Sequence, residues 1–209
     1  MKATPSGEQS EMKAVAICGS PRIEGNTEIL LNQCIEILER EGIACELVRL
    51  AEKTVSPCRA CGACGRLKDK TCAVKEDAFH EVFATMLDAD IIIVGSPVYF
   101  GSATPQLMAL LDRAGYVSKQ NNNLLSRKLG GPIAVARRAG QNFTYAQLLF
   151  WFLINDMIVP GSTYWNIAFG REKGEVNNDA EGVRTVARFA ENLAWLARKI
   201  GGGQSADGR

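Results

Sequence analysis

Two stretches of the chain concentrate residues able to do chemistry. In the first, Cys58-x-x-Cys61-x-x-Cys64 is followed, after seven intervening residues, by Cys72. Four thiolates on so short a loop suit a tetrahedral zinc or an iron–sulfur cluster, and free thiols or a disulfide are the other states open to it. The tight triplet with a remote fourth ligand favours a cluster. It differs from the bacterial ferredoxin run, whose fourth cysteine comes three residues on and is followed by proline. The second stretch is Cys18-Gly19-Ser20-Pro21-Arg22-Ile23-Glu24-Gly25-Asn26-Thr27. Ser20, Asn26 and Thr27 are short donors, Arg22 is a fixed positive charge, and Gly19 and Gly25 let backbone come close. At a strand-to-helix junction these residues describe a phosphate pocket. The alternative is an ordinary loop whose Ser, Asn and Thr cap the helix. Neither the three-glycine dinucleotide fingerprint nor a Walker loop is present, so a mononucleotide-type phosphate is the expected ligand.

The elements that must position these stretches are legible from apolar periodicity. The run 14–17 reads as a buried strand, and Leu30, Leu31, Cys34, Ile35 and Leu38 mark a helix from about 25 to 41 that stops at Gly42. A strand follows at about 44–50. The segment 57–72 has too many glycines and charges for a core element. Phe79, Val82, Phe83, Met86 and Leu87 form a helical stripe leading into the strand 91–94, and Thr104-Pro105 opens the next helix. Residues 117–130 read as a polar loop. A fourth strand at 133–136 precedes a helix containing the apolar run 148–154. The fifth strand is broken by Pro160-Gly161 and resumes at 164–169. The last helix starts at a capping box formed by Asn178 and Glu181. Strands alternating with helices predict an α/β fold, a parallel sheet with helices on both faces, and ligands beyond the carboxyl ends of the strands.

Composition bounds the rest. With 24 basic and 23 acidic residues among 209, the net charge of +1 gives no electrostatic case for nucleic-acid or membrane-surface binding. The run 148–154 is too short to span a bilayer. It is apolar on all sides, so it is expected to be a buried helix or a subunit contact. The polar N-terminus lacks an apolar signal segment, which makes the cytoplasm the expected location. The expected organisation is a tail at 1–12, one domain at 13–200 with the cysteine-rich loop 57–72 inserted, and a tail at 201–209. Seven cysteines, four of them within 58–72, argue for a metal or redox site rather than structural disulfides. Cys18, Cys34 and Cys45 are expected to be small core residues. The single histidine, His80, is expected to serve packing or surface roles.

Three loops at strand ends, 19–27, 96–101 and 137–141, are each rich in glycine and hydrogen-bonding groups. Pro97, Val98, Tyr99, Phe100 and Gly101 offer flat or apolar surface beside backbone amides. Arg137, Arg138 and the turn at Gly140 can donate to an electron-rich ring edge. A phosphate pocket, a flat platform and a donor edge together describe FMN. Gly-Ser-Pro-Arg, Gly-Asn-Thr and Ser-Pro-Val-Tyr with the downstream Asp112-Arg113 resemble the NAD(P)H-dependent FMN reductases of the flavodoxin-like superfamily. The resemblance implies a three-layer sandwich with a five-stranded parallel sheet in the order 2-1-3-4-5. It also implies that Ser20, Arg22, Asn26 and Thr27 hold the FMN phosphate, and that Pro97, Val98, Tyr99 and Phe100 border the isoalloxazine. The third loop departs from the family's Gly-Gly form, with Arg137 and Arg138 in place of small residues. The cysteine loop resembles that of the iron–sulfur flavoproteins, a branch of the family whose compact four-cysteine motif carries a [4Fe–4S] cluster.

The expected function is that of an FMN-dependent oxidoreductase. It takes hydride from NAD(P)H near Tyr99 and Arg138 and passes electrons to a small-molecule acceptor or a redox protein. The alternatives are a flavodoxin-type electron carrier that never meets NAD(P)H, and a metal-binding or redox-sensing module built on the cysteine loop. The resemblance further implies a homodimer or homotetramer.

Overall fold

The computed structural model describes residues 12–201. The tails expected at 1–12 and 201–209 lie outside the described residues, Met12 and Gly201 excepted. β1 (Lys13–Cys18), β2 (Ala44–Arg49), β3 (Ile91–Pro97), β4 (Leu129–Ala136) and β5 (Ile167–Phe169) form one parallel sheet in the expected order β2-β1-β3-β4-β5. Strands β1, β3 and β4 are buried at nearly every position, which is why their segments 14–17, 91–94 and 133–136 read as apolar runs. β2, at the edge, is only partly covered.

Helices sit on both faces. On one, α1 (Asn26–Arg40) and α6 (Ala180–Gly201) pack Leu30, Leu31 and Leu38 with Phe189, Leu193 and Ala194. On the other, α3 (Phe79–Asp88), α4 (Pro105–Gln120) and α5 (Gln141–Ile154) enclose Phe79, Met86, Leu110, Leu111 and Phe152. A five-residue helix, α2 (Ala63–Leu67), lies inside the cysteine segment, where sequence suggested only loop. Cys18 and Cys34 are core residues as expected, and burial pushes the Cys18 thiol up to about 11. Cys45 is half-buried on β2.

Three departures from expectation have local causes. Helix α4 continues to Gln120 because Val117 and Ser118 are buried, and the Ser118 hydroxyl accepts the Leu125 amide at 3.1 Å. β4 begins at Leu129 and runs through Gly130-Gly131, a pair that reads as a breaker but here permits close packing. A Cβ on Gly131 would lie 2.8 Å from the Phe189 ring. The cap of α6 is Asp179, one residue beyond Asn178. Its Oδ1 accepts the Gly182 amide at 3.0 Å and its Oδ2 the Phe169 amide at 2.9 Å, joining helix start to strand end. The run 148–154 is split between both expected fates: Leu148, Trp151 and Phe152 are buried, whereas Phe150, Leu153 and Ile154 are exposed.

Candidate functional site

The three strand-end loops meet at the carboxyl edge of the sheet. The Gly19 amide donates to Gly95 O at 2.8 Å, and the Thr104 hydroxyl donates to Gly19 O at 2.7 Å rather than capping α4. The Val98 amide donates to Val135 O at 2.8 Å. Gly140, at φ +88°, brings the third loop so close that a Cβ would lie 3.0 Å from Val98 Cγ1 and 3.3 Å from Gly101 Cα. A Cβ on Gly19 would lie 2.8 Å from Leu107, so glycine is what lets β1 turn into the first loop beside α4.

In that first loop the Ser20 hydroxyl accepts the Arg22 amide at 3.1 Å. Ser20 and Thr27 are buried, while Arg22 is exposed with its guanidinium donating to Arg171 O at 3.0 Å. Helix α1 starts after Gly25, which has no side-chain cap. Among the described residues no group accepts from the first-turn amides of Asn26, Thr27 and Glu28, so three parallel donors stand at the positive end of the helix. The Asn26 side chain turns elsewhere: its amide donates to Glu172 O at 2.9 Å and its carbonyl accepts the Gly174 amide at 2.9 Å. That contact recruits a fourth loop, 170–176 after β5, which sequence reasoning missed. Its Gly170 and Gly174 were the available signal, since a Cβ on Gly170 would lie 2.7 Å from Asn26 Nδ2.

A buried carboxylate, Glu28, was also missed. Its Oε1 accepts from Arg49 Nε at 2.9 Å and Nη2 at 2.7 Å, and its Oε2 accepts the Glu24 amide at 2.8 Å. The pair neutralises a negative charge beside the unpaired amides and fixes Glu24, which sits at φ +53°. The second loop closes as a tight turn, with Tyr99 and Ser102 exchanging backbone hydrogen bonds at 2.9 and 3.1 Å. Phe100 at its tip is fully exposed and held at φ +51°, next to Gly101 at φ +81°. Pro97 and Val98 are half-buried, and Arg137 and Arg138 are exposed. The arrangement offers amides for a phosphate, a flat apolar edge, and cations at the rim, which fits FMN.

The cysteine segment forms a separate site against the second half of α4. Cys58, Cys61, Cys64 and Cys72 line one hollow of about 20 Å³ together with Tyr116 and Val117. Cys64 is buried, and burial followed by the neighbouring Cys72 and Cys61 thiols outweighs nearby amides to push its thiol up. Left-handed backbone at Ala60, Gly62, Lys68 and Lys70 curls the loop, and the Ala60 amide donates to Cys58 Sγ at 3.4 Å. Asn121 fastens it, donating to Cys64 O at 3.4 Å and accepting the Lys70 amide at 3.0 Å. Four thiols on one hollow are the donor set of a tetrathiolate centre. Their present spacing is not yet a ligand set: the hollow has room for about one water, and among the described residues no three His, Cys, Asp or Glu side chains converge on a metal position. His80 contacts Val74 O at 3.0 Å and the Phe79 ring edge, a packing role as expected.

Among the described residues no helix is long and apolar enough to cross a membrane. The family described as NADPH-dependent FMN reductase matches residues 12–172. An iron–sulfur flavoprotein of Methanocaldococcus jannaschii is 36% identical over 196 residues, spanning 90% of this chain and 99% of the relative. The iron–sulfur flavoprotein of Methanosarcina thermophila is 35% identical over 192 residues, spanning 90% and 97%. Among solved structures, RosB with a bound 8-demethyl-8-formylriboflavin-5'-phosphate superposes with a TM-score of 0.70 at 18% identity, over 92% of this chain and 81% of that one, a likeness of fold.

Proposed function

The chain belongs to the NADPH-dependent FMN reductase family, and we propose that it is an FMN oxidoreductase that takes hydride from NADH or NADPH and carries a [4Fe–4S] cluster on Cys58, Cys61, Cys64 and Cys72. When bound, FMN accepts the hydride and can release its electrons singly, and the cluster supplies a one-electron couple. The chain's own groups bind and orient. The amides of Asn26, Thr27 and Glu28, with Ser20 and Arg22, hold the phosphate, while Asn26 ties down the loop that flanks it. Pro97, Val98, Tyr99, Phe100 and Gly101 border the ring system. Gly140 admits its edge, and Arg137 and Arg138 donate to it. Tyr99 and Arg138 frame the approach of the nicotinamide. No acid–base pair is required, since hydride transfer needs alignment and a dry contact face.

The observation that carries this reading is the meeting of three strand-end loops beside unpaired first-turn amides at one edge of the sheet. The acceptor is proposed to be a small molecule or a redox protein. The uncovered apolar side chains Phe143, Phe150 and Ile154 along α5 support a homo-oligomer, and the clustering of four cysteines within 58–72 supports the reducing cytoplasm.

The test is to mix anaerobic, FMN-loaded protein with NADH or NADPH and follow the flavin absorption. Bleaching by at least one nicotinamide is expected. Bleaching by dithionite but by neither nicotinamide would overturn the reductase reading in favour of an electron carrier.

A further inference from the structure

The cysteine hollow has a buried cationic wall. Arg113, on α4, lines it with the four thiols, and its side chain is wholly shielded from solvent. Its Nη1 donates to Ser56 O at 3.1 Å and to Asp77 Oδ2 at 2.5 Å, and its Nη2 donates to Val74 O at 2.9 Å. Ser56 precedes the first cysteine of the loop and Val74 follows the last, so one guanidinium clamps both arms. The Phe79 ring lies 4.0 Å from Cζ. Nε alone is buried with no hydrogen-bond partner. An unpaired N–H on a buried cation is costly, and such an exception in a folded protein asks for a group that accepts it.

A tetrathiolate cluster is net anionic, and its potential responds to nearby charge and to hydrogen bonds on its sulfurs. Asp77, which balances Arg113, is not among the residues lining the hollow, so the positive end of the pair is the end presented to the thiols. Arg59 also lines the hollow but is exposed, where solvent and salt screen its charge. We infer that Arg113 is a positioning residue that closes the cysteine loop around its cluster and, through its buried charge and free N–H, raises the cluster's reduction potential. This rests on the proposed reading that the four cysteines hold an iron–sulfur cluster.

The experiment uses full-length protein reconstituted without air, with iron and sulfide measured per chain and the potential found by spectroelectrochemical titration. Arg113→Gln should disfavour the reduced cluster by about tenfold, which is 59 mV for a one-electron couple. Asp77→Asn should move the potential the opposite way, because it leaves the guanidinium uncompensated. A merely structural clamp would not give shifts of opposite sign. Buried pairs tolerate loss of one partner poorly, so the double variant Arg113→Gln, Asp77→Asn provides a neutral, hydrogen-bonding replacement that folds. Its potential should fall in the same direction as that of Arg113→Gln, by less. A double variant with normal iron and a reduction equilibrium within twofold of wild type would overturn the role of Arg113 and leave the cluster standing. Wild-type protein that retains neither iron nor sulfide would overturn both, and that analysis comes before any variant.

Discussion

At the carboxyl edge of the sheet the chain presents mostly backbone, whereas in the cysteine segment it presents side chains. The first region consists of strand ends whose amides and carbonyls are already fixed by the parallel sheet, with Gly19, Gly95 and Gly140 allowing close approach. The second is an insertion between β2 and α3 with little regular structure, tied down by Arg113 and Asn121 from a distant helix. Both regions lean on α4, one at Thr104 and Pro105 and the other around Tyr116, about 17 Å apart along the helix. A site made of backbone is rigid before its ligand arrives; a loop clamped by a few side chains is free to rearrange when one binds.

That contrast makes the two regions separable by mutation. The largest expected effect comes from replacing Cys58 and Cys61, both exposed, with alanine. Iron should be lost entirely while flavin content and nicotinamide bleaching persist; joint loss of flavin would break the comparison. Next is Asn26→Ala, which frees the loop 170–176 by removing the bonds to Glu172 O and Gly174 N. FMN affinity should fall by about 1–3 kcal/mol, roughly 5- to 150-fold, with iron unchanged in a binding titration.

Acid should act on the cysteine side through Asp77. Burial alone would raise the Asp77 carboxyl, but the bond from Arg113 and the amides of Ser56 and Phe79 outweigh it and hold it below its ordinary 3.8. A lowered carboxyl contributes stability that is complete above the ordinary value and is lost as pH falls through the lowered one. Urea unfolding at about pH 5 and about pH 3 should therefore show a smaller loss in Asp77→Asn than in wild type. The smallest effect is at the turn tip: Phe100→Asn replaces a fully exposed ring at φ +51° with a residue that tolerates that backbone. It should raise thermal stability by up to about 1 kcal/mol while lowering turnover with nicotinamide.

The same contrast explains what was legible in the sequence. Parallel strands buried on both faces leave apolar runs, and strand-end loops leave glycines and short donors, so a parallel sheet and the three loops could be anticipated from the residues, whereas the strand order came from the family resemblance alone. The four cysteines were visible as a donor set, but nothing in their spacing reveals which helix they lean on. Arg113 was visible only as part of the pair Asp112-Arg113. Its guanidinium joins Ser56, Val74 and Asp77, contacts of long sequence separation that no local pattern encodes. Nothing in the sequence singled out Glu28, an acidic residue in a first helical turn, because its partner Arg49 lies on a different element. Asn178 and Asp179 are both good caps, and the choice between them was made by the Phe169 amide across the β5 junction.

The most direct measurement is an absorption spectrum of the protein purified without air, taken with iron and acid-labile sulfide analysis of the same sample. A flavin spectrum overlaid by broad, reducible iron–sulfur absorption, with about four irons per chain, is the predicted result. A protein that binds no flavin even after FMN is added would contradict the account at its centre, and clean flavin absorption without iron would contradict the cluster.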